Sequence, residues 1–136
     1  MTYHNRFSHF DRRTLTATRT LMRGWSTKDT AERWAACDGW LDEASRIYDV
    51  PRPNLRATGY RGTGCYLRMT QDIKMEYPSI MTLIHEFRHH LQCSLMQAPH
   101  PDPEDDARAW SHSLYRKVAP RTFDRLIASG AILSYE

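Results

Sequence analysis

Apolar residues in this chain recur with two different periods. From Ser26 or Thr27, the expected cap, to about Tyr48, the residues Ala31, Trp34, Leu41, Ala44 and Ile47 recur at helical spacing and mark the buried face of a long helix. Pro51 and Pro53 end it, because proline lacks the amide hydrogen that a further turn requires. Between residues 55 and 75 the pattern shortens. Residues 55–58, 65–70 and 73–75 read as strands, and Gly59, Gly62 and Gly64 punctuate them as turns. Pro78 and Ser79 then open a second helix, on which Ile80, Leu83, Ile84, Phe87 and Leu91 form an apolar stripe. A Pro-rich connector over 98–103 follows. Pro103 starts a helix running to about Val118, and Pro120 starts a short one ending near Gly130. Residues 1–25 stay open, because 13–22 alternate like a strand but equally suit a helix. The order predicts one compact α+β domain over residues 1–136: a long N-terminal helix, a small antiparallel or mixed sheet, and further helices after it. No internal repeat or low-complexity tract interrupts it.

The second helix carries the run His85-Glu86-Phe87-Arg88-His89. At about 100° per residue, His85 and His89 project from one face, roughly opposite the apolar stripe, and share that face with Gln92 and Met96. Two imidazoles four residues apart can hold one zinc ion, and Glu86 sits where a general base on a zinc-bound water belongs. Hydrolysis of an amide asks for this set: neutral nitrogen ligands, a carboxylate base and an open coordination position. Arg88 and His90 read as solvated or supporting residues. Cys93, one turn beyond His89, lies too far along the axis to share the ion with His85 and reads as a buried thiol.

A zinc hydrolase usually adds a third protein ligand. The candidates downstream are His100, Glu104, Asp105, Asp106 and His112. Acidic residues in a first turn also have a purely structural reason to be there, because they meet the positive end of the helix dipole. The core stripe of this helix is Pro103, Ala107, Trp110, Leu114 and Val118. Asp105 points about 180° from its centre, while Glu104 and Asp106 flank it at about 80° on either side. Glu104 reaches further and ranks first; His100, Asp106 and His112 are the alternatives. His112 shares the outward face with Asp105 and Arg116.

The run Glu104-Asp-Asp-Ala-Arg-Ala-Trp-Ser resembles the E-x-x-A-x-x-[FW]-[AS] element that follows H-E-x-x-H in the ImmA/IrrE-like zinc metallopeptidases. The resemblance covers about residues 30–120. It implies a compact minimal zincin domain in which His85, His89 and Glu104 bind zinc and Glu86 is the catalytic base. Arg88 stands where that family often has Gly, and Arg108 where Asn is common. The metzincin pattern does not fit, since Gln92 and Leu95 occupy its Gly and third His positions.

Composition narrows the remaining choices. The formal charge of +3 is a mild excess and no nucleic-acid signature by itself. Three cysteines, Cys37, Cys65 and Cys93, contain no C-x-x-C pair, which points to a reducing, cytoplasmic setting. No apolar run reaches the length of a membrane span, and the N-terminus has no secretory core. The expected function is a zinc-dependent peptidase acting on a protein or peptide substrate. Oxyanion stabilisation falls to Tyr66, His90, His112 or Tyr115, with Tyr115 first because it lies three turns along from Glu104 on a similar side. The alternatives are a SprT-like protease acting on DNA-bound proteins, with His100 as ligand, and a non-catalytic zinc-binding regulatory protein of a phage or mobile element. Nucleic acid is a possible partner that the sequence does not indicate.

Overall fold

A computed structural model of the protein describes residues 7–59, 64–95 and 102–130. The fold is α+β, with five α-helices and one three-stranded sheet among the described residues.

The segment that alternated is a helix, α1 (Arg12–Met22), capped by the Asp11 carboxylate, which accepts the Arg13 N–H at 2.8 Å. Its alternation comes from threonines at every second position. Thr14, Thr18 and Leu21 are fully buried, at helical spacing, with Leu15, Ala17 and Met22 half-buried beside them. The inward hydroxyls are satisfied: Thr14 Oγ1 donates to Tyr48 Oη at 3.1 Å, and Thr18 Oγ1 donates to Thr14 O and accepts from Trp40 Nε1. A polar buried face of this kind hides the helix period from a hydrophobicity reading.

Helix α2 (Thr30–Tyr48) begins a turn later than Ser26 or Thr27, which instead lie in a 3₁₀ turn, Trp25–Thr27. Its cap is Asp29, which forms a reciprocal pair with Glu32: each side chain accepts the other's backbone N–H, at 2.8 and 3.0 Å. Cys37, Trp40, Leu41, Ala44 and Ser45 form the buried face. Of the expected stripe, Ala31 is exposed and Trp34 and Ile47 are half-buried.

Strands β1 (Asn54–Ala57), β2 (Gly64–Leu67) and β3 (Asp72–Met75) form a mixed sheet in the order β1-β3-β2, with β1 parallel and β2 antiparallel to β3. β2 is shorter than the sequence suggested, because Arg68–Gln71 turn the chain through Gln71, which has φ 58°. Gly64 lets this edge strand approach the next helix. A Cβ there would lie 2.7 Å from both Lys74 O and Thr82 Cγ2.

Helix α3 (Ile80–Ser94) buries the whole expected stripe and also His90. Phe87 is its central contact, edge-on to Trp40 with ring centroids 5.1 Å apart and flanked by Tyr48 and Trp110. Helix α4 (Pro103–Val118) is capped by Asp102 and packs along α3; α5 (Pro120–Ala128) returns over α4 with Phe123 buried. Among the described residues no helix is long and apolar enough to cross a membrane.

Candidate metal centre

The two histidines of α3 meet Glu104 from α4. His85 Nε2 lies 2.8 Å from Glu104 Oε1, and His89 Nε2 lies 3.0 Å from Oε2. The two rings are 5.0 Å apart, centroid to centroid, and nearly perpendicular. One ligand atom from each of the three residues lies within 4.8 Å of the others. Helix phase explains the histidine pair, and the Asp102 cap explains Glu104. That cap starts α4 so that Glu104 emerges in its first turn beside the imidazoles.

Burial holds the His85 ring below the usual histidine range; Glu104 pulls it back up, while His89 and Arg108 push it further down. A ring with its proton on Nε2 donates to the Glu104 carboxylate, whereas a ring with its proton on Nδ1 turns a lone pair toward it and needs a cation between them. In a tetrahedral zinc site with bonds of about 2.0–2.1 Å, neighbouring ligand atoms stand about 3.3–3.4 Å apart. Glu104 has an exposed side chain and needs to retreat only slightly to reach that spacing.

Glu86 stands beside this group, its Oε1 3.9 Å from His85 Nε2. Its side chain is 9% exposed, and among the described residues no group donates a hydrogen bond to it. Burial pushes its pKa up to about 7, against the pull of His89 and with the push of Glu104. That is the range in which a carboxylate both accepts and returns a proton near neutral pH.

The remaining candidates sort by position. Asp106 is buried and belongs to a different contact: Arg88 holds it with two bonds, Nε to Oδ2 at 2.7 Å and an Nη to Oδ1 at 3.2 Å. The Arg88 guanidinium also lies over the rings of Phe7 and Trp110. Asp105 accompanies Glu104 in the first turn but is not part of the three-residue group. His112 was expected on the outward face. It is buried instead, against Phe123, because α5 folds over that side of α4. Tyr115 is likewise buried, with its ring 6.0 Å from Phe123. It follows Glu104 by eleven residues, about 16 Å of helix rise. His90 and Tyr66 form a structural chain. His90 Nε2 donates to Pro51 O at 2.6 Å, so its Nδ1 accepts from the Tyr66 hydroxyl at 2.7 Å. Cys93 is half-buried. His100 lies outside the described residues.

Sequence reasoning missed Gln92 as a partner of the site. Its Oε1 lies 2.9 Å from His89 Nδ1. The available signal was its place one turn beyond His89 on the same face.

Comparison with family models, with curated proteins and with solved structures finds no significant match.

Proposed function

We propose that this chain is a zinc-dependent peptidase, with His85, His89 and Glu104 as metal ligands and Glu86 as general base. One observation carries the reading: two imidazole Nε2 atoms from α3 converge on both oxygens of a carboxylate from α4. A buried second carboxylate with no hydrogen-bond donor adjoins them. A bound zinc ion would supply Lewis acidity, making water acidic and polarising the scissile carbonyl. Glu86 would remove the proton from the attacking water and deliver it to the departing amine, with its raised pKa suiting both directions. The half-buried rings of His85 and His89 limit the water around the reacting atoms, while the more exposed Glu104 leaves the centre open on that side.

The resemblance of residues 104–111 to the ImmA/IrrE-like element supports the carboxylate as third ligand. A SprT-like protease would use a histidine; the contacts of Glu104 with both rings favour a carboxylate instead. The test is hydrolysis of a denatured protein or a peptide library by zinc-loaded protein. Activity should vanish with a chelator and return with zinc. Full turnover in the chelated protein would defeat the proposal. A tightly zinc-bound protein with no turnover over a broad substrate set would select the regulatory alternative.

A further inference from the structure

We infer that Gln92 is the positioning residue of His89: it keeps the ring proton on Nδ1 and so reserves the Nε2 lone pair for the metal. The inference depends on the metallopeptidase reading for the ion: in the metal-free chain His89 Nε2 also faces an acceptor, Glu104 Oε2 at 3.0 Å, so the proton position is read with Glu104 removed.

The orientation of the Gln92 amide is determined by partners that cannot donate. Its Nε2 lies 2.9 Å from Pro103 O and 2.7 Å from Asp106 Oδ2, a carbonyl and a carboxylate oxygen. Only the NH₂ end satisfies both. The opposite end of the amide, Oε1, therefore faces His89 Nδ1 at 2.9 Å, and that contact is a hydrogen bond only if Nδ1 is the donor. Asp106 is held in turn by Arg88 through both oxygens. The result is a directed chain from guanidinium through carboxylate and amide to imidazole, in which each group fixes the orientation of the next.

The same side chain sets a second coordinate. Pro103 precedes Glu104 in sequence, so the bond from Gln92 to Pro103 O ties the start of α4 to the helix carrying both histidines. Gln92 thus holds one ligand ring directly and the helix end bearing the third ligand indirectly. Supporting partners of this kind typically contribute 10–100-fold to metal affinity. An amide orients the ring without adding negative charge, unlike a carboxylate in that place.

The test uses Gln92→Met, which preserves length and removes the bonds. Zinc affinity, measured by competition with a chromophoric chelator, should fall 10–100-fold while circular dichroism is unchanged. A drop of less than about threefold would overturn the inference, well short of that range. A second measurement needs no metal. In a Glu104→Ala protein, Gln92 is the acceptor left at the ring among the described residues, and long-range ¹H–¹⁵N correlation of neutral His89 should report the proton on Nδ1. Adding Gln92→Met should shift it toward Nε2. A proton already on Nε2 with Gln92 present would refute the assignment, even if the Met variant fails to fold. If the unaltered chain binds no zinc, the metallopeptidase reading falls and the proton position alone decides the role of Gln92.

Discussion

Replacing Glu86 with Gln should stabilise the metal-free protein and abolish its hydrolysis. In the unfolded chain Glu86 titrates near 4.5; in the fold, burial pushes it up to about 7. Between those values the folded protein holds a proton that the unfolded chain has released. The benefit of a protonated, buried Glu86 is therefore complete below pH 4.5 and is lost as pH rises through about 7. Above that range the fold carries a buried carboxylate. The gap of roughly 2.5 pH units, at about 1.4 kcal/mol each, puts that cost at roughly 3–4 kcal/mol. With only 9% of the side chain exposed, solvent does little to reduce it. Gln has nearly the same shape and never ionises. Urea denaturation of both proteins with chelator present, from pH 4.5 to 8.5, should give nearly equal stabilities at the acid end. The variant should then lead increasingly, by about 3 kcal/mol at pH 8. Zinc should narrow the lead, because a nearby dication favours the carboxylate. Turnover should fall by at least ~10²-fold, the scale of a general base. A stability difference that stays flat with pH would refute the buried-carboxylate account. Equal turnover would refute the base assignment.

His85→Ala and His89→Ala should each hold less than about a tenth of the zinc retained by the unaltered chain, measured by elemental analysis after gel filtration; a full equivalent in either would dissolve the site. A crystal structure of the loaded protein should place a Glu104 oxygen about 2.0–2.2 Å from the ion, and finding His100 there would favour the SprT-like reading. Asp106→Ala should lose about 2–4 kcal/mol in denaturant titration, because it strands the half-buried Arg88 guanidinium; a loss below about 1 kcal/mol would mean that the pair contributes little to joining α3 and α4.

Much of the architecture was legible because its period is strong. Ile80, Leu83, Ile84, Phe87 and Leu91 all lie inside, as their spacing requires. The prolines and the Ser79 and Asp102 caps set helix boundaries by local chemistry that no tertiary contact reverses. Helix α1 was ambiguous because its inward positions are mainly threonines whose hydroxyls are satisfied by other buried groups. The burial of His112 was illegible for another reason. Helix phase was read against one covering surface, whereas α5 supplies a second.

The choice between Glu104 and Asp106 shows where helix geometry runs out. The two flank the core stripe of α4 at similar angles, so phase alone cannot separate them. Arg88 breaks the symmetry by capturing Asp106 inside the helix interface and leaving Glu104 to the imidazoles. The residue that precedes His89 is thus the one that sorts the two acids. Fold stability accounts for Arg88 and Asp106, since each satisfies the other. Neither of them reaches Glu86, a largely buried carboxyl with no donor among the described residues. The proposed base role gives that carboxyl a reason to be there, since it lies beside the one group of His, Cys, Asp and Glu side chains found, among the described residues, close enough to share an ion.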